Sequence, residues 1–468
     1  MGSLISALNI AQEALAAEQS ALNTTANNVA NQNTAGYTRE VANFSTQDTY
    51  LLGGYVQSDG VTSGTPTSVR DRVLEQRVEQ QTQVSSASST LETALNSVQD
   101  IFGLTASSTS TTVTALGSAL DSFFSSLTGL ANNPSQAATR QEVLSSAGNL
   151  ATAFNTASNQ LTSITSGLNS NALTIVGQVN ALLGGIASLN EKIAALDPSS
   201  DAGVLEDQRQ AAIAQLSQYV GLDQITTSHN GIDLTTSNAG LLVAGNISYP
   251  LTASLVGGVV QITAGPNNTN ISTGLTGGSL GGTLTALDTS LPPIVSNLDT
   301  LAYSIATAVN AQNELGVDAT GTAGQALFTI GTTSTGAAGT IAVAVTDPNL
   351  VAAAGAGEGS SGNTNATLLA GLGTANIVGS STADEFLATA LAQIGEAASN
   401  ASTDSTLQST TLSQLTTQRN ALSGVSLDQE AANLTQYQRS YQAASQLFSI
   451  IDTLFASALN FGVVTSVS

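Results

Sequence analysis

Leu427-Asp428-Gln429-Glu430-Ala431-Ala432-Asn433-Leu434 begins a run in which Leu427, Leu434, Tyr441, Phe448 and Phe455 recur every seven residues, with Tyr437, Ala444, Ile451 and Ala458 as a second row three residues on. Ser426-Leu427-Asp428-Gln429, just before it, fits the capping pattern of a helix start. At the other end Met1, Leu8, Leu15, Leu22 and Val29 keep the same interval. A seven-residue apolar repeat keeps one stripe of a helix facing a partner. Stripes at opposite ends of one chain predict a paired coil that closes the molecule, with apolar surface left for neighbours. That points to a subunit of an assembly.

Inward from these ends the pattern alternates. Residues 37–69 carry short β-branched or aromatic pieces between Gly53-Gly54 and Asp59-Gly60 turns, which predicts extended segments and a hairpin. Helical spacing then covers 69–102, 113–130, 136–196 and 202–220. Residues 221–282, rich in Thr, Val and Gly, predict short antiparallel strands. Helix returns over 284–309 with a kink at Pro292-Pro293, and a second β and loop stretch covers 316–362 with its best strand at Thr340–Val345. The last helices are expected over 364–372, 382–422 and 427–461. The fold class is therefore mainly α with a β insertion, arranged as three nested domains. A terminal coiled coil takes 1–50 with 424–468. A long-helix bundle takes 51–220, 284–315 and 364–423, and an outer antiparallel β domain takes 221–283 and 316–363.

The net charge is −23 although only 9% of residues are charged, because eight arginines and Lys192 face 32 carboxylates. Nucleic acid and anionic lipid both need basic clusters, so neither is an expected partner. No 18-residue stretch is free of polar groups, so no membrane span is expected. No base precedes Arg39, so the positive start of a cleavable secretory signal is missing. The chain has no cysteine, which excludes disulfides and thiolate metal sites and suits a polypeptide threaded through a channel unfolded.

Chemistry is sparse. His229, the one histidine, sits in a Ser-His-Asn-Gly turn and reads as a surface residue. Gly357-Glu358-Gly359-Ser360-Ser361-Gly362 matches a dinucleotide fingerprint but follows no clear strand, so it reads as a loop. Asp384/Glu385 and Asp428/Glu430 stand at helix starts, where negative charge suits the helix dipole. Arg70, Arg72 and Arg77, interleaved with Asp71, Glu75 and Glu79, read as a solvated ion-pair face. No catalytic set, metal site or cofactor is expected.

Asn27-Asn28-Val29-Ala30-Asn31-Gln32-Asn33-Thr34-Ala35-Gly36-Tyr37-Thr38-Arg39 resembles the N-terminal signature of the flagellar rod, hook and hook-associated axial proteins. Ala35 departs from it, since the family often has proline there. Gly36 permits a tight exit and the asparagines tolerate left-handed backbone. Within the family, Gly36-Tyr37-Thr38-Arg39 and the closing segment Ser423–Leu434, followed by Tyr437-Gln438 and Tyr441-Gln442-Ala443-Ala444, look like the member between hook and filament. Leu298-Asp299, Val309-Asn310, Gly316 and Asp318 are also similar to this family. The resemblance implies export in unfolded form through the flagellar type III apparatus and assembly into a helical ring or layer. It implies the hook protein and a second hook-associated junction protein as partners, and an export chaperone on the C-terminal helix at Leu434, Tyr441, Phe448 and Phe455. A hook or distal rod protein, or a secreted Gly/Thr-rich adhesin, is the alternative.

An isolated helix of about 25 residues is marginal in water. Both terminal helices are therefore expected to be frayed before assembly, with folding and docking coupled.

Overall fold

The computed structural model describes residues 2–34, 36–47, 49–52, 55–58, 60–104, 115–196, 203–228, 230–237, 240–359 and 361–460. It is mainly helical with small antiparallel sheets. Helix α1 (Gly2–Ala30) is followed by β1 (Glu40–Val41), β2 (Phe44–Thr46), β3 (Thr49–Leu52), β4 (Tyr55–Ser58), β5 (Val61–Ser63) and β6 (Thr67–Ser68). These strands pair as β1 with β6, β2 with β5 and β3 with β4, so they are rungs of one long hairpin. The hairpin lies against α1. Gly60 adopts φ +122° where its strand meets α1, and a β-carbon there would stand 2.7 Å from Glu13 Oε2. The Gly53-Gly54 turn lies outside the described residues.

The helical body comprises α2 (Arg72–Ile101), α3 (Ala115–Asn132), α4 (Ala137–Ala194) and α5 (Val204–Tyr219), and later α6 (Gly278–Thr285), α7 (Leu291–Glu314), α8 (Ala337–Thr340), α9 (Thr364–Gly371) and α10 (Ala383–Ser423). Local chemistry sets the ends. Asp71 caps α2 by accepting from the Val73 and Leu74 amides at 3.0 Å. Thr382 and Glu385 form a reciprocal capping box on α10. A π-helical turn at Ala286–Ser290 separates α6 from α7, and Pro292-Pro293 stand in the first turn of α7, where the missing amides cost no helix bond. Helix α2 runs along α10, and α3 along α4. An 18-residue window of α4, with mean hydropathy 1.6, is long and apolar enough to cross a membrane. Its Val179, Leu183 and Ile186 are fully enclosed, so core packing accounts for that composition.

Seven further strands follow α5: β7 (Asp223–Thr226), β8 (Ile232–Thr235), β9 (Leu241–Ala244), β10 (Ile247–Ser248), β11 (Thr252–Val256), β12 (Val259–Ala264) and β13 (Thr269–Asn270). They form a four-stranded meander, β10-β9-β8-β7, and a three-stranded sheet, β11-β12-β13. Asparagines on the helices hold this β layer. Asn180 of α4 donates to Leu251 O at 2.9 Å and accepts from Leu251 N at 2.7 Å. Asn169 treats Gly258 O and Val260 N the same way, and Asn190 donates to Ile232 O. Outside this layer, Asn310 of α7 exchanges two bonds with Phe328 in the same manner. A carboxamide carries the donor and acceptor of a peptide group, so each substitutes for a neighbouring strand.

Two expectations need correction. Thr340–Val345 is a strand only at β15 (Ala342–Val343), which pairs with β14 (Phe328–Thr329), while Thr340 ends α8. Side chains satisfy much of this backbone instead: Asn313 donates to Gln325 O and accepts from Ala352 N, and Asn365 donates to Ala352 O. The Arg70–Glu79 stretch is only in part a solvated face: Asp71, Arg72 and Arg77 are exposed, but the rest is not a local network. Glu75 and Glu79 are buried, Arg70 is enclosed, and the ion-pair partners come from other helices.

Candidate assembly interface

The chain ends meet, as α1 packs along α11 (Leu427–Asn460). Asn28 near the end of α1 touches Glu430 at the start of α11, and Glu18 acts on Tyr437 further along, so the helices run antiparallel. The buried side chains of α1, which is covered by α11 and the hairpin, are small: Ala11, Ala17, Ala21 and Thr24. The line of α11 that meets α1 is Glu430, Tyr437, Ala444 and Ile451, of which Glu430 and Ile451 are buried and the other two half-buried. On α1, Leu8, Leu15 and Leu22 are half-buried, and Val29 is exposed. Tyr441, Phe448 and Phe455 are half-buried on the α11 flank, while Leu427 and Leu434 are exposed. A third row, Ala443, Leu447, Ile450 and Leu454, flanks the line on its other side, and its three large side chains are 49–58% exposed. Phe44 of the hairpin rests edge-on against Tyr437.

The signature following α1 is the joint between this coil and the body. Asn28, 1% exposed, uses its whole carboxamide: Nδ2 donates to Glu40 O (2.8 Å) and Glu430 Oε2 (3.3 Å), while Oδ1 accepts from Glu40 N (3.0 Å) and Tyr37 Oη (2.9 Å). Arg39 donates to Gln429 Oε1 at 2.7 Å, sits 3.6 Å from Glu430 Oε1 through Nε, and bonds Ser423 O through its amide. Burial, with Glu40 and Glu430 nearby, pushes the Tyr37 hydroxyl up to about 12, so it stays a donor. Gly36 has φ +82° and passes over Ala211 of α5, where a β-carbon would approach to 3.3 Å. Asn31 and Thr34 close the turn through Asn31 Nδ2 to Asn27 O and Thr34 Oγ1 to Asn31 Oδ1. The side chains of Asn27 and Ala30 are exposed and outside this network. Ala35 lies outside the described residues.

Thr38 passes the connection on. Its amide donates to Asp207 Oδ2, and its hydroxyl accepts from Arg70. Arg70 in turn pairs with Asp207 and Glu206 of α5, Arg72 with Glu206, and Glu75 with Arg419 of α10 at 3.7 Å. One turn along α2, buried Glu79 accepts from Gln210 and Gln224. Desolvation, then the charge of Glu75, lifts its carboxyl to about 8, so it is largely protonated at neutral pH. A crevice of about 390 Å³ separates the signature loop from the end of α10.

Several of these residues were not singled out from sequence. Glu430 is more than a dipole partner, since it sits in the joint itself. Glu206, Asp207 and Arg419 carried no signal beyond being charges in a charge-poor chain. Glu358, inside the glycine-rich stretch, accepts from Gly355 N and Thr364, so it ties that loop to the start of α9. His229 lies outside the described residues. No cluster of three metal-ligating side chains occurs among the described residues.

Paired terminal helices with a polar joint to a helical body are the arrangement expected of a flagellar axial protein. Residues 8–38 match the family described as flagella basal body rod protein, and 418–461 match flagellar basal body rod FlgEFG protein C-terminal. Residues 104–328 match the flagellar hook-associated protein FlgK helical domain. Flagellar hook-associated protein 1 of Bacillus subtilis is 30% identical, with 98% of this chain and 99% of the relative covered. The Salmonella typhimurium protein of that name is 27% identical over 97% and 99%. A flagellar hook junction protein structure from Burkholderia pseudomallei shares the fold, with a TM-score of 0.69, 19% identity, and coverage of 74% of this chain and 100% of that one. The chain belongs to the flagellar hook-associated protein 1 family and is a structural component of the bacterial flagellum.

Proposed function

We propose that this chain forms the junction between hook and filament by polymerising through α1 and α11. The carrying observation is that Leu447, Ile450 and Leu454, apolar side chains beside the line that meets α1, remain 49–58% exposed on a helix already paired within the chain. Burying each against a neighbour contributes about 1.5–3 kcal/mol. Repeated heterologous contacts of this kind generate a helical layer. Leu8, Leu15, Leu22, Tyr441, Phe448 and Phe455, half-covered within one chain, supply the rest of the interface. The hook protein lies below this layer and a second junction protein above it.

Residues 1–50 with 424–468 act as the polymerising unit, and the packing of the hairpin on α1 supports extending it to Ser68. The body and β layer project outward. The chain leaves the cell unfolded through the flagellar export apparatus, with a chaperone covering the apolar rows of α11 until release. Leu15→Asp or Ile450→Asp should abolish incorporation into flagella, leaving hooks without filaments, while the body melts as before. Normal filaments on either variant would overturn the assignment.

A further inference from the structure

Three of the chain's eight arginines, Arg70, Arg72 and Arg209, line one cavity of about 80 Å³ between the start of α2, the first turns of α5 and strands β7 and β8. Arg72 and Gln76, also in its wall, are exposed and mark its way out to solvent. The rest of the wall is polar, and it sits in a chain whose net charge is −23.

Three of the lining side chains are enclosed and incompletely bonded. Arg209 is 4% exposed and makes no ion pair among the described residues. Its Nη1 donates to Asn190 Oδ1 at 2.9 Å and to Asn230 O at 2.6 Å, both uncharged, and its Nε is buried without a hydrogen-bond partner. Arg70 uses its Nη groups on Glu206, Asp207 and Thr38, and its Nε is likewise buried and unpartnered. Glu206, 6% exposed, gives Oε2 to Arg70 and Arg72 and keeps Oε1 buried and unpartnered. Buried polar groups in native proteins are rarely left this way. Two donors and one acceptor therefore want a partner around a single cavity.

The charges do not balance either. Glu75 is matched by Arg419, and the buried Glu79 carboxyl is largely protonated. Three guanidinium groups then face two carboxylates, Glu206 and Asp207, which Arg70 and Arg72 already occupy. The surplus positive charge belongs to Arg209. Burial pulls its guanidinium down to about 10, with Glu206 opposing the shift and Arg72 and Arg70 adding to it.

These requirements narrow the ligand. A cation is repelled by the surplus charge, and water leaves that charge uncompensated. Chloride accepts from both Nε–H groups but has nothing to donate to Glu206. Drug-sized ligands occupy pockets of about 300–1,000 Å³, so a nucleotide or sugar phosphate is too large. We propose that the cavity binds a small, singly charged oxyanion that keeps a proton, of the bicarbonate or dihydrogen phosphate kind. Its oxygens accept from Arg70 Nε and Arg209 Nε, and its hydroxyl donates to Glu206 Oε1. Guanidinium groups suit oxyanions because their N–H donors match the spacing of the oxygens. The bound ion ties α2, α5 and the β layer together beside the Arg70–Thr38 bond that leads to the terminal coil. This site is independent of the polymerisation reading.

The purified full chain provides the test, with sodium bicarbonate, inorganic phosphate at pH 6 and sodium chloride compared at equal ionic strength. Bicarbonate or phosphate should raise the melting temperature saturably by about 4 °C or more, as a ligand held only by the folded state does. Chloride should not. Broadening of the ¹³C-bicarbonate or ³¹P-phosphate resonance by the folded protein reads binding directly, so a destabilised variant is still informative below its melting point. Arg209→Gln should weaken that binding about tenfold or more, through loss of a charge-assisted hydrogen bond. Glu206→Gln should let chloride compete, because its amide donates where the carboxylate accepted. A response to bicarbonate alone or to phosphate alone supports the site and names the ion. Equal effects of all three salts, no broadening with either oxyanion, or Arg209→Gln binding as well as wild type would overturn it.

Discussion

Asn28 carries more of the molecule than any other single side chain. Its four bonds join α1, the signature turn, the hairpin and α11, and Asn28→Ala strands the Tyr37 hydroxyl, the Glu40 peptide and the Glu430 carboxylate together. Leaving buried groups unpaired costs about 1–3 kcal/mol each, so the variant should lose the pairing of its ends. Limited proteolysis would read this as faster cleavage near residue 30 with the body intact. Glu79 acts in the opposite sense. Its carboxyl is raised in the fold, so the folded chain binds a proton the unfolded chain has released, and stability falls as pH rises from about 4.5 towards 8. Glu79→Gln removes that penalty. Its melting temperature should exceed wild type by about 2–4 °C at pH 8, the shift expected for about 1 kcal/mol in a large domain, and should match it near pH 4. A constant difference across this range would exclude titration as the cause.

At the scale of elements, periodicity located most of the helices because their apolar and capping residues speak locally. The Thr382–Glu385 box and the start at Leu427 are examples. It was silent on what those helices touch. The seven-residue rows of large side chains point to Leu8, Leu15 and Leu22, whereas the residues of α1 that are buried are Ala11, Ala17 and Ala21, which no hydrophobicity pattern emphasises. Arg70 looked local and solvated because its neighbours in sequence are acids, yet its partners stand on α5. The second β stretch was overread for a related reason, since Asn310 and Asn313 supply bonds that a sequence rich in Thr, Gly and Val attributes to strands. The buried alanines make their own prediction. Ala21→Leu inserts bulk where α1 is covered, and overpacking of this kind costs about 1–3 kcal/mol. It should separate α1 from α11 in the free chain, seen as protease sensitivity at the N-terminus, whereas Leu15→Asp should leave that sensitivity unchanged.

Across the whole molecule, the main core runs from Val98 to Ile394 and draws no residue from the terminal helices or the hairpin. Residues 69–423 should therefore fold without either end and melt cooperatively close to the temperature of the intact chain. Calorimetry of that fragment is the check, and a broad or absent transition would show that the coil supports the body. The sparse charge of the body fits this separation, because carboxamides rather than ion pairs fasten the β layer to α4 and β14 to α7.

The bond between Asn28 and Glu430 spans 402 positions of sequence. A ribosome delivers the first partner long before the second, so no nascent or prematurely terminated polypeptide owns a finished clasp. Any fragment that stops short of Glu430 therefore lacks one half of the clasp, whatever the state of its first helix.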